Sequence, residues 1–205
     1  GIVMAWVQIY QLKKMYKIIA LCGKSGAGKD SLMMATFSHL GEYLNPIISH
    51  TTRPKREKEI ADKNYHFVSD DQFLTLIDEN KMLETTSFNN WYYGTSIDSL
   101  SNSKVNIGVF NPEGIISLLK DDRIELEIYY ITAKGKTRLI RQLNREENPD
   151  VDEIIRRYTA DEIQFQLMND IKCNIVTNET LKDYNNIVNL LTQRVKQWAE
   201  MDQDK

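Results

Sequence analysis

Apolar and polar positions follow two different periods along the chain of 205 residues. Short runs rich in β-branched and apolar residues recur at YKIIALC (16–22), NPIIS (45–49), VNIGVF (105–110), IELEIYYIT (124–132) and CNIV (173–176). Between them apolar residues return at helical spacing over 29–40, 70–80, 112–120, 134–146, 151–170 and 181–199. Strands alternating with helices predict an α/β chain with a parallel sheet covered on both faces. In the last helix Leu181, Tyr184, Val188, Leu191, Val195 and Trp198 fall at spacings of three and four, a stripe that predicts a core-facing side.

Two polar intervals break this rhythm. The stretch from 49 to 96 carries SHTTRPKREKEIADKNYHFVS and SFNNWYYGTS, dense in cations and hydrogen-bonding side chains, and reads as an inserted binding lobe. The second, RQLNREENPDVDEIIRR (141–157), is charged and poor in apolar residues, as a flap over a site would be.

Composition narrows the partners. Formal net charge is −3, from 26 basic and 29 acidic residues well mixed, so no basic footprint marks nucleic acid and no polybasic patch marks a membrane. Cys22 and Cys173 stand far apart in apolar, strand-like contexts, which fits reduced, buried thiols of a cytoplasmic protein. Residues 1–14 are amphipathic, too short to span a bilayer, and read as a leader or non-native extension ahead of a single unit at 15–205.

Candidate chemistry begins at GKSGAGKD (23–30), which follows a strand and opens a helix. In that context Gly23, Gly26 and Gly28 let the backbone turn its N–H groups inward around a polyphosphate, with Ser25, Ala27 and Ser31 on the same loop and helix start. Lys29 can then reach the β and γ oxygens. A hydroxyl ordinarily follows this lysine and ligates Mg²⁺; Asp30 offers a carboxylate instead, either as the metal ligand or as a charge complementing the helix end.

Together with the loop, the stretches SHTTRPKR, NYHFVS, FLTLIDENKMLE and WYYGTS resemble guanylate kinases, in order from about residue 16 to residue 180. The resemblance implies the P-loop nucleoside-monophosphate kinase fold. That means a parallel five-stranded core (15–48, 97–134, 158–205), an acceptor lobe (49–96) and a lid (135–157), with transfer of phosphate from ATP to GMP or dGMP in the presence of Mg²⁺. It further implies that Arg53, Arg56, Tyr65 and Tyr93 hold the acceptor phosphate, a suitable clamp of guanidinium forks and phenols for a dianion.

By the same resemblance Ser49, Glu84 and Thr95 read the base, an ionised carboxylate accepting from the adjacent N–H donors of guanine. Arg138, Arg141 and Arg145 recur at i, i+3 and i+7, with Arg156 and Arg157 beyond the flap; Arg141, Arg145 and Arg157 are the matches to the catalytic lid arginines. Thr177 and Asn178 would border the ATP adenine.

Two positions depart from the family pattern. Val109 and Asn111 stand where it has aspartates, in the same chain that gains a carboxylate at Asp30. These departures also resemble ribose 1,5-bisphosphate phosphokinase, and the neutral Asn111 amide, with a donor and an acceptor, leaves broader deoxynucleoside-monophosphate kinases open. A non-catalytic guanylate-kinase-like binding module is the remaining alternative, against which Lys29 and the arginine-rich flap argue.

Overall fold

The structure, a computed structural model, describes residues 15–57 and 59–200. The reading of residues 1–14 as a leader lies outside them. Five parallel strands form the main sheet in the order β2-β7-β1-β8-β9: β1 Tyr16–Cys22, β2 Leu44–Pro46, β7 Val105–Val109, β8 Ile124–Thr132 and β9 Asn174–Thr177. The central β1 is buried on both faces, so it reads as a continuous apolar run.

Its side chains alternate between two cores. Ile19 and Leu21 meet α1 (Lys29–Leu40) and α6 (Leu181–Glu200) through Leu32, Val188, Leu191 and Val195. Ile18, Ala20 and Cys22 face Ile115 and Leu118 of α3 (Pro112–Leu119), with Phe165 and Met168 beyond α5 (Val151–Gln164). A period of two therefore supplies both layers. Leu191, fully buried, would cost about 2–5 kcal/mol if truncated to alanine.

The second sheet, in the order β4-β3-β6-β5, uses β3 His50–Thr51, β4 His66–Phe67, β5 Met82–Phe88 and β6 Trp91–Ser96. β5 and β6 form a hairpin whose two turn residues, Asn89 and Asn90, both take positive φ (50° and 64°). Asparagine tolerates that region, and a two-residue turn of this hand matches strand twist. Helix α2 (Asp70–Asp78) starts in a reciprocal capping box between Ser69 and Gln72 and buries Phe73, which stacks on Tyr92 of β6. Helix α4 (Gly135–Leu143) follows β8.

Four expectations need correction. The strand read over 45–49 is β2 at 44–46, an edge strand ending at Pro46, after which the chain crosses to β3. The helix read over 151–170 is α-helical to Gln164 and continues as a 3-10 turn over Phe165–Asp170. Leu181 is 75% exposed rather than core-facing, because it opens α6 on the wall of a surface cavity beside the loop 23–28; Ile187 completes the buried stripe instead. Cys22 is buried as expected and its thiol is pushed up to about 12 by burial, but Cys173 is only half-buried; both are free.

Candidate active site

The chain order reverses at β1, whose neighbours are β7 and β8, so a crevice opens beyond the carboxyl ends of these strands. The loop 23–28 turns there. Gly26 and Gly28 adopt φ of 81° and 96°. A Cβ on Gly26 would stand 2.5 Å from the Arg138 carbonyl oxygen, and one on Gly28 would stand 2.6 Å from Asn178 Nδ2. Both positions therefore require glycine on two counts. Gly28 is the N-cap of α1 and brings no capping side chain, which leaves the first-turn amides of this helix to an anion.

Lys29 Nζ sits 3.4 Å from the Lys24 carbonyl, a long contact, and faces a small cavity shared with Ser25, Asp30, Ser31, Arg145 and Arg157. Burial pulls its pKa down, with Asp30 the largest opposing influence. A polyphosphate would restore what the partly buried ammonium lacks.

Beside this loop lies a cavity of about 450 Å³ lined by Gly28, Arg141, Asn178, Leu181 and Tyr184. Asn178 is 3% exposed; its Nδ2 donates to the Ala27 carbonyl (2.9 Å), and its Oδ1 is buried with no partner among the described residues. A buried acceptor of this kind fits an exocyclic amine such as that of adenine. Thr177 ends β9 immediately before it, and its hydroxyl lies 3.3 Å from that of Thr132.

The basic residues of the flap do not act as one face. Arg138 is buried, paired with Glu162 (2.9 Å) and set over the Tyr158 ring. Arg141 donates to the carbonyls of Gly26 (3.3 Å) and Asn178 (2.7 Å), tying the loop to the Asn178 cavity. Arg145 lies past the end of α4 and lines the Lys29 cavity with Arg157. Arg156 pairs with Glu153 (2.7 Å) and covers the Phe88 ring. The i, i+3, i+7 reading fails because α4 stops at Leu143, before the third arginine.

Across the crevice, Arg53 is 6% exposed, with its guanidinium over the rings of Tyr65 (5.6 Å) and Phe67 (5.8 Å). Tyr93 lies against Tyr65, ring centroids 6.1 Å apart. Burial raises the Tyr65 phenol, so it stays a donor at neutral pH. The Arg56 side chain is exposed, and what holds its position is its backbone N–H, which donates to Glu59 (2.8 Å). Glu59 also takes both Arg53 nitrogens, at 2.6 and 3.0 Å; those bonds pull its carboxyl down to about 2. The sequence reading passed over Glu59, although an acid six residues after Arg53 in TTRPKREKE was a visible signal.

Ser49 and Thr95 hydroxyls lie 3.3 Å apart, and Glu84 pairs with Thr95 across β5 and β6. Burial raises the Glu84 carboxyl, and hydrogen bonds from Thr95 oppose that shift. Gly114 brings the next element in: a Cβ there would stand 3.1 Å from Asn111 Oδ1 and 3.6 Å from Glu84 Oε2. Asn111 caps α3, its Oδ1 accepting from the Gly114 N–H (2.8 Å). The cap orients the amide, so the balanced donor and acceptor expected of Asn111 becomes chiefly an NH₂ donor toward the crevice. Aspartate would cap equally well and turn an acceptor there, so Asn111→Asp should lower the KM for GMP severalfold, as initial rates would show.

A third cavity, about 330 Å³, joins the halves: Ser25 and Lys29 line one side, Phe88, Val109 and Asn111 another, Arg157 and Asp161 the third.

The parallel sheet with a glycine loop at the end of its central strand defines a P-loop α/β protein. A family model described as guanylate kinase matches residues 15–194. The chain is 34% identical to a guanylate kinase of Wigglesworthia glossinidia brevipalpis, over 86% of this chain and 87% of that protein. It is 28% identical to one of Thermotoga maritima, over 92% of each. The crystal structure of guanylate kinase from Anaplasma phagocytophilum superposes with a TM-score of 0.59 at 20% identity, covering 89% of this chain and 88% of that one. The chain belongs to the guanylate kinase family.

Proposed function

We propose that this protein transfers the γ-phosphoryl group of ATP to GMP or dGMP. The observation that carries the reading is the cavity lined at once by Ser25 and Lys29 of the phosphate loop and by Asn111 beside Glu84, since direct transfer needs donor and acceptor ends in one enclosure.

The donor base enters the Asn178–Tyr184 cavity, and its phosphates lie over the loop amides and the uncapped start of α1. Arg53, Arg56, Tyr65 and Tyr93 hold the acceptor phosphate, with Glu59 orienting Arg53. Ser49, Glu84 and Thr95 hold guanine. An acceptor phosphate oxygen attacks the γ-phosphorus in line while the bond to the β-γ bridging oxygen breaks and ADP departs. Phosphoryl transfer asks chiefly for position and positive charge, which Lys29, Arg145 and Arg157 supply. Arg141 acts more remotely, holding the loop against the base cavity.

Among the described residues no group of three or more His, Cys, Asp or Glu could form an all-protein metal cage. Mg²⁺ takes one or two carboxylates and completes its shell with phosphates and water. In this reading Asp30, exposed beside Lys29, would hold it. Bound there, the ion would neutralise charge on the β and γ oxygens. Asp30→Ser should therefore raise the Mg²⁺ concentration needed for half-maximal turnover; an unchanged Mg²⁺ titration would remove Asp30 from this role.

No helix among the described residues is long and apolar enough to cross a membrane. The reading is of a nucleotide enzyme working in the cytoplasm on GMP and ATP, with no nucleic-acid or membrane partner. A coupled assay of ADP release with GMP, dGMP, dTMP, dCMP, AMP and ribose 1,5-bisphosphate tests it. Turnover confined to the two guanine nucleotides supports the assignment; turnover with the sugar bisphosphate alone defeats it.

A further inference from the structure

The phosphate loop already holds an anion of the protein's own. Asp161, near the end of α5, accepts a hydrogen bond from the Ser25 backbone N–H at 2.6 Å. The next residue, Glu162, pairs with Lys24 of the same loop (2.6 Å) and with buried Arg138 (2.9 Å). Asp161 is also close enough to Lys29 to act on its charge. One helix end thus sets two carboxylates against Lys24, Ser25 and Lys29 of the loop.

These two acids face different places. Glu162 is tied by ion pairs to Lys24 and Arg138, on the α4 side. Asp161 lines the cavity that also contains Lys29, Val109 and Asn111, where the loop faces the acceptor. The base cavity at Asn178 and Tyr184 lies on the opposite flank of the loop. A nucleotide laid from that cavity across Gly28 and Lys29 would present its last phosphate toward Ser25 and Asp161. A diphosphate ends earlier.

We propose that Asp161 is a positioning residue that sets affinity for the third phosphate of the donor. It holds the Ser25 N–H in the nucleotide-free protein and yields that donor to the terminal phosphate of ATP. The exchange is local, because the Glu162 ion pairs keep α5 docked while Asp161 swings away. The consequence is selective: the triphosphate must displace a short, charge-assisted hydrogen bond and meets the Asp161 charge at close range, whereas ADP competes for no such bond and meets that charge only from the Lys29 position. The device weakens ATP toward the affinity of ADP. It rests on reading 23–30 as the donor phosphate loop.

Two variants separate charge from hydrogen bonding. Asp161→Asn keeps an oxygen that can accept from Ser25 but removes the charge; Asp161→Ala removes both. Calorimetric titration of ATP and ADP, each with and without Mg²⁺, should show both variants binding ATP about tenfold more tightly while ADP changes less than about twofold. Equal shifts for the two nucleotides would mark Asp161 as merely structural and overturn the proposal. Weakened ATP binding only in the presence of Mg²⁺ would make Asp161 a metal ligand and overturn it too. Wild-type protein and Lys29→Ala are titrated alongside: if loss of Lys29 leaves ATP affinity unchanged, the donor-loop reading itself fails, a result distinct from the other two.

Discussion

Lys29→Ala should lower kcat by about 10³-fold while leaving the protein folded, the loss expected when a preorganised charge aimed at a developing one is removed. The fold does not depend on this side chain. Its contact to the Lys24 carbonyl is long, and its charge is penalised by burial. The sign of that penalty gives a second readout. A lysine whose folded pKa lies below its unfolded value destabilises the protein fully below the folded pKa, and the destabilisation fades as pH rises toward the unfolded value. Lys29→Ala should therefore melt at or above the wild-type temperature at neutral pH, with the difference vanishing toward pH ~10.5. A variant both inactive and unfolded would mean that Lys29 is a structural residue.

The second large effect is on base selection. Glu84→Gln should reduce kcat/KM for GMP by about 10²–10⁴, because the amide turns donors toward the donors of guanine and leaves polar groups unpaired. Selectivity over AMP should fall in parallel. The wild type should also show an acid limb in GMP affinity. Burial raises the Glu84 carboxyl above its ordinary value of 4.5, so GMP binding is lost as pH falls through that raised pKa, at a higher pH than for an exposed glutamate. The glutamine variant should lack this limb. Competition binding of GMP between pH ~4 and ~8 would show both. An identical pH profile in the two proteins would dissociate Glu84 from the base.

The architecture was legible because its strands are buried and its helices amphipathic. The runs 16–22 and 124–132 have the bounds of β1 and β8, and 29–40 has those of α1, where a glycine loop announces the start. Errors came where periodicity was extended past the last packed turn. Leu181 kept the spacing of α6 but not its contact, and Arg145 kept the spacing of α4 although the helix had ended.

Side chains that the structure brings together were legible where several residue types recur in short motifs, as in the arginine and tyrosine stretches around 53, 65 and 93. The acids that hold them were not. Glu59 sits in a charged stretch in which no period singles it out. Asp161 meets a backbone N–H 136 positions away, and a backbone donor has no letter in a sequence. Asn111 was recognised as a departure, but its cap to Gly114, which orients the amide, needed the geometry of α3.

The most direct test of the account follows the phosphate itself. With γ-labelled ATP, Mg²⁺ and GMP, the label should appear in the β position of GDP, and without GMP its release as inorganic phosphate should fall far below that rate. This is what a shared cavity between Ser25, Lys29 and Asn111 predicts once a lid shuts water out of it. Label released to water equally fast with and without GMP would contradict direct transfer between the two sites.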